Sequence, residues 1–283
     1  MSGYASLTDE VRSSTVEVEG VADAVTFSKP QSAASRVALM LMSGAIGGAI
    51  GVFGPQYFPE AQIALWLVAG VTLMGGLLST WSPCGYSSLC LLRPNGSYSA
   101  KSVLRYLPTL TLHGLGYAMG AVILGSLLAL VGYALGLQNH IETGAIVLAS
   151  IAVIYGAHQF GFLKVPYPQR RCQVPHDARQ RFPKEAIGLL YGFSLGLNYL
   201  TYVQTPILYI VTGLAALSGN IMTAITLFLV FNAGRFLPML VNLLPVTDRS
   251  VTAWLAQRQE QAATLDGALL VGAGSAILAL YLV

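Results

Sequence analysis

Charge is what this chain has least of. Lys, Arg, Asp and Glu make up 10% of its 283 residues, against the ~25% usual in soluble domains. A soluble globular domain is therefore excluded. With 54% hydrophobic residues and a mean hydropathy of +0.64, the composition is that of an integral membrane protein. Cysteine is nearly as scarce. Three cysteines are too few for a disulfide framework, and none falls in a CxxC or Cys/His zinc spacing. Neither a metal site nor a cofactor is expected. The start of the chain lacks a basic stretch leading into an apolar one, so no cleavable signal peptide is expected. The bilayer is the expected environment, and nucleic acid is not an expected partner.

What is present is a series of long apolar runs behind a polar tail. Residues 1–35 carry Asp9, Glu10, Glu17, Glu19 and Asp23 against Arg12 and Lys29, with no clear period, and read as a flexible cytoplasmic tail. Apolar segments follow at about 36–53, 61–92, 104–137, 144–163, 186–217, 221–244 and 267–283, with a basic loop at 164–185 and a polar stretch at 249–266. Each is long enough for a crossing of a hydrocarbon core about 30 Å thick. In the first, Gly44, Gly47, Gly48 and Gly51 form pairs at spacing four, read as packing against a neighbouring helix.

Of the 15 Lys and Arg, all but Arg235 fall in the tail or in the connections after segments two, four and six, with Arg36 and Arg105 at the segment boundaries. The alternate connections, around Gly54–Glu60, Gln138–Thr143 and Ser218–Asn220, contain none. This asymmetry predicts seven crossings, with the amino terminus in the cytoplasm and the carboxyl terminus outside.

Two segments are too long for one straight crossing. The run Ala61–Leu92 contains Trp81-Ser82-Pro83-Cys84-Gly85, and the run Ala186–Leu217 contains Thr205-Pro206. Proline lacks an amide proton and its ring clashes with the carbonyl four residues back, while Gly85 relaxes the backbone, so both runs should break at these pairs. Backbone groups freed inside a membrane are tolerated only where protein or a water-lined cavity satisfies them, which marks such breaks as a working centre. Without segment one, six segments divide into two triplets, at about 61–163 and 186–283, each opening with a broken run. Because three is odd, the triplets would enter the membrane in opposite senses. The expected fold is an all-α membrane protein of seven helices. One amino-terminal helix precedes two inverted three-helix repeats with broken first helices, whose breaks face each other through Gly75, Gly76, Gly192 and Gly196.

Ser82-Pro83-Cys84 before an apolar half-helix, with Thr205-Pro206 in the second triplet, resembles the DsbD/CcdA-type thiol-disulfide carriers of the wider LysE transporter superfamily. More narrowly, the seven-segment layout, the polar tail and the run from Trp81 to Pro94 resemble the MauF family of methylamine utilisation proteins. That resemblance implies a multi-pass protein of the bacterial inner membrane serving production of periplasmic methylamine dehydrogenase. The implied partner is the dehydrogenase small subunit, which carries tryptophan tryptophylquinone and many disulfides, or another maturation protein. The carriers place a cysteine after each proline; this chain has Cys84 after Pro83 but Ile207 after Pro206.

The candidate residues divide by location. Cys84 would stand at the amino end of the half-helix after the first break, where unpaired amides favour a thiolate, or would simply fill space. Cys90, six residues on, is about 9 Å along an intact helix, beyond the roughly 7 Å reach between disulfide-bonded Cα atoms, so pairing would need the break to fold the two together. Cys172 lies beside Arg170 and Arg171 as either a passive cysteine or a partner thiol. Arg235, alone among the basic residues in an apolar segment, is expected to snorkel toward the cytoplasmic side more than to form a site. His113 and His158 are read as hydrogen-bonded packing residues. Asn198 and Gln204 would satisfy backbone freed by Pro206 or line a polar passage. Three functions remain open: a maturation factor, a thiol relay through Cys84 with Cys90 or Cys172, and a small-solute exporter needing no cysteine.

Overall fold

A computed structural model describes residues 31–94, 98–166 and 181–282. The tail through residue 30 and most of the basic loop, including Cys172, lie outside the described residues. Ten α-helices are described: α1 (Ala33–Phe53), α2 (Glu60–Leu78), α3 (Pro83–Leu91), α4 (Ala100–Ala134), α5 (Ile141–Gln159), α6 (Lys184–Gly196), α7 (Ile207–Ser218), α8 (Ile221–Phe236), α9 (Asp248–Gln257) and α10 (Gln259–Leu282). Four 3-10 turns, at Gly54–Gln56, Ser79–Trp81, Leu137–His140 and Leu237–Leu243, extend or join them, and no strand occurs among the described residues.

Six helices are long and apolar enough to cross a membrane: α1, α2, α4, α5, α8 and α10, some with the adjoining 3-10 turn. The expected fifth crossing, 186–217, is not one helix. It is split into α6 and α7, of 13 and 12 residues, about 20 and 18 Å long and each short of the ~30 Å core. The first break also differs from expectation. With its 3-10 turn, α2 runs 22 residues to Trp81 before the chain breaks, so the break lies near the end of a full crossing and α3 is an added nine-residue helix. Nor is the polar stretch 249–266 a loop. Thr247 caps α9 through a reciprocal pair of bonds with Ser250, and α10 already begins at Gln259.

Close helix approach organises the bundle. α6 packs along α4 and α2 along α8, while α10 lies against both α1 and α5. A Cβ on Gly192 of α6 would collide with the His113 carbonyl of α4, and one on Gly76 of α2 with the Phe231 carbonyl of α8. These glycines therefore set each broken run against the unbroken helix of the other triplet. Only Gly75 faces the other broken run, through Ile207. The spaced glycines of α1 serve as packing: Gly47 and Gly51 are its buried residues, and they meet the backbone of α10.

The bundle has two chemically distinct ends. At one, Arg93 pairs with Asp248 at 2.6 Å, the Lys184 ammonium approaches the Arg93 carbonyl at 3.5 Å, and Arg36 donates to the Phe160 carbonyl at 3.4 Å. At the other, Gln138 of the connection after α4 lies against Gly219 at the end of α7. Neither of those two connections carries a Lys or Arg.

Candidate functional site

The first break closes on itself. α2 tightens into the Ser79–Trp81 turn, Ser82 is extended, and Pro83 occupies the first turn of α3, where its missing amide costs nothing. The Ser79 hydroxyl donates to the Gly76 carbonyl at 2.6 Å, that of Ser82 to the Ser79 carbonyl, and that of Ser88 to the Gly85 carbonyl at 2.9 Å. The Gly85 and Tyr86 amides donate to the Ser82 carbonyl at 2.9 and 3.2 Å. Gly85 is required by contact, because a side chain there would run into the Thr80 backbone. The Trp81 indole N–H reaches the Leu255 carbonyl of α9 at 2.9 Å, and its ring lies 5.8 Å from that of Trp254.

Cys84 begins α3 with no exposed surface. It belongs to an apolar cluster with Tyr106, Leu110 and Tyr117 of α4 and Tyr191 and Leu195 of α6. Cys90 is half-buried on the same unbroken helix, and the two cysteines are not joined by a disulfide. The break does not fold them together. Thiol exchange needs a thiolate accessible to its partner, so exchange at Cys84 would require this cluster to open.

The second break is held from outside. Where α6 ends, Asn198 takes a left-handed φ of 57° and is wholly buried. Its amide nitrogen donates to the Gly196 carbonyl at 2.9 Å and to Asn232 Oδ1 at 3.1 Å. Arg235 reaches in from α8: Nη1 donates to the Leu195 carbonyl at 2.7 Å and to Asn198 Oδ1 at 2.8 Å. Asn232, one turn earlier, donates to the Gly196 and Tyr117 carbonyls, both at 3.0 Å. The carbonyls that α6 leaves unpaired at its end are thus met by three side chains, as a helix end buried away from water requires. Arg235 does not snorkel. It is 5% exposed, with its guanidinium carbon 6.0 Å from the centre of the Tyr117 ring. Its Nη2 and the Thr80 hydroxyl are buried without a hydrogen-bond partner among the described residues, and both residues border a void of about 10 Å³, roughly the space of one water.

The break is closed at its other end by a carboxylate. The Thr205 hydroxyl donates to Asp266 Oδ1 at 2.6 Å and accepts the Ile207 amide at 3.3 Å, capping α7. Gln159, the last residue of α5, donates to Asp266 Oδ2 at 2.6 Å. Leu78 and Trp81 from the first break, Gln204 and Thr205 from the second, Gln159 and Asp266 all border one cavity of about 20 Å³. This is where the two breaks meet. Pro83 and Pro206 themselves open separate helices, with Cys84 and Ile207 in different apolar clusters.

His113 and His158 both bond to backbone. His113 Nδ1 lies 2.9 Å from the Gly188 carbonyl and its ring sits 4.9 Å from that of Tyr117; His158 Nδ1 accepts the Val165 amide at 2.8 Å. Among the described residues, no three His, Cys, Asp or Glu side chains come together. Sequence reasoning missed Asp266, Asn232 and Gln159. Asn232 and Arg235 at spacing three on an apolar helix were a usable signal, since that spacing puts both on one face. Asp266 was hidden because it closes the 249–266 stretch, which reads as a polar connection although α10 already begins at Gln259.

Relatives carry the assignment further. Over 266 residues the chain is 58% identical to the methylamine utilization protein MauF of Methylorubrum extorquens, covering 93% of this chain and 92% of that one. Identity to the MauF protein of Methylobacillus flagellatus is 52% over 280 residues, 99% of both chains. The chain belongs to the MauF family. The MauF protein of Paracoccus denitrificans is likewise 53% identical over 268 residues, 92% of this chain and 94% of that one. No protein-family model matches the chain, and no solved structure matches it. MauF family membership thus rests on relatives spanning nearly the whole chain, including both breaks and the helices that supply Arg235 and Asp266.

Proposed function

We propose that this MauF-family protein is an inner-membrane accessory factor of methylamine utilisation, needed for maturation of the small subunit of periplasmic methylamine dehydrogenase. It acts through a rearrangement of transport type at the second break, and its partner is that subunit or another maturation protein. The observation that carries the reading is the pair of buried ionisable residues, Arg235 and Asp266, holding opposite ends of the Leu197–Pro206 segment. Ionisable groups inside apolar helices are costly and mark working sites. A thiol relay has less support, because Cys84 is sealed and Ile207 stands where a second cysteine would be needed.

In this reading α6 and α7 together make a seventh crossing as a discontinuous helix. The clustering of Arg36, Arg93 and Lys184 at one end supports a cytoplasmic location for that end. The reciprocal contacts of α2 with α8 and of α6 with α4 are those that two oppositely inserted triplets would exchange, and they favour kinship with the DsbD/CcdA-like carriers.

Gene deletion tests the role. Active dehydrogenase should vanish and its small subunit should be depleted while the large-subunit transcript persists; an unchanged small subunit rejects the proposal. Complementation with a variant carrying Cys84→Ser, Cys90→Ser and Cys172→Ser should restore activity. Failure of that variant, with normal amounts in the membrane, would transfer the argument to a thiol relay. Labelling of cysteines introduced at Gln138 and Ser218 should occur from the periplasm only.

A further inference from the structure

The cavity at the meeting of the two breaks has a chemical character that maturation alone does not explain. Asp266 is 2% exposed, and both its oxygens accept bonds from neutral donors, Thr205 and Gln159. Asp266 makes no ion pair among the described residues. A carboxylate has about four acceptor sites, of which these bonds use two. The other lining side chains include Gln204 and Gln259, each with an amide oxygen, and Trp81, whose single N–H donates to the Leu255 carbonyl. A buried carboxylate without a partner takes either a proton or a cation from outside.

We propose that this cavity binds a small monovalent cation of the ammonium class. Three features select it. Asp266 is the one acid among the residues lining the cavity, so it compensates one positive charge and lacks the oxygen-rich shell that calcium or magnesium demands. The space, about 20 Å³, suits an occupant of water size. Carboxylate and amide acceptors beside an aromatic ring are the surroundings that an N–H-bearing cation uses fully, through hydrogen bonds and attraction to the ring face. Because Thr205 caps α7 while bonding Asp266, such a cation would hold the second break and the first together across one site.

The test uses the full chain in detergent or nanodiscs at fixed pH and ionic strength, with thermal unfolding followed as chloride salts are exchanged. Ammonium should raise the midpoint by a few degrees and saturate, methylammonium should do so more weakly, and choline should have no effect. Asp266→Asn should abolish the ammonium response, and Gln204→Leu should weaken its apparent affinity about tenfold, the loss of one to two strong hydrogen bonds. An ammonium response equal to that of sodium and potassium would overturn the assignment, as would no response at all, which would leave Asp266 a proton carrier only. If Asp266→Asn does not fold, Gln204→Leu decides: an unchanged ammonium response in that variant rejects the site. These readings concern binding alone, so they stand or fall separately from the maturation role.

Discussion

The two breaks solve one problem in opposite ways. At the first, a single extended residue separates two helices, and hydroxyls of Ser79, Ser82 and Ser88 bond carbonyls within three residues of themselves. At the second, ten residues lie between helices, and the carbonyls and hydroxyl at its ends are met by Arg235 and Asn232 of α8 and Asp266 of α10, with Gln159 of α5 bonding Asp266 in turn. A short interruption supplies its own partners. A long one depends on side chains 36 to 61 positions away in the chain, and so inherits every movement of the helices that bear them. The rearrangement proposed above accordingly concerns the second break rather than the first.

That contrast can be broken by substitution. The largest effect is expected from Arg235→Ala, which removes two charge-assisted bonds from buried acceptors and should lower stability by roughly 3 kcal/mol or more. Thermal unfolding in detergent, read with proteolysis between α6 and α7, would check it; wild-type resistance would show that the segment holds itself. Asn198→Leu comes next, at about 2 kcal/mol, because it adds left-handed strain to the loss of the network. Asn198→Gly separates the two causes, since glycine keeps the φ of 57° without strain and loses only the hydrogen bonds. Thr205→Val should cost about 1–2 kcal/mol through the α7 cap and the Asp266 bond. Ser82→Ala should be smallest, below about 1 kcal/mol, because the turn keeps its backbone bonds. If Ser82→Ala proved as damaging as Arg235→Ala, the division between a self-sufficient break and a dependent one would fail.

The same contrast explains what could be read from the chain alone. The first break was visible in Trp81-Ser82-Pro83-Cys84-Gly85 because everything that makes it is local: a proline without a donor, a glycine where Thr80 comes close, and nearby hydroxyls. The breaking of segment 186–217 was legible from its length and Thr205-Pro206, and Asn198 and Gln204 lie between α6 and α7. What holds it was not, because Arg235 reads as a snorkelling cation and Asp266 as the end of a polar stretch until α8 and α10 pack. The Ala61–Leu92 run was overlong, but hydropathy could not say that α2 would complete a crossing before Pro83. An apolar stretch does not reveal at which depth it is interrupted.

The amphipathic α9 carries one further consequence. It is charged at its start, turns only Leu255 and Ala256 fully inward, and is stitched to the first break by the Trp81 indole and to the end of α3 by Arg93 and Asp248. A displacement of α9 would therefore be felt directly at the turn before Cys84, through one tryptophan.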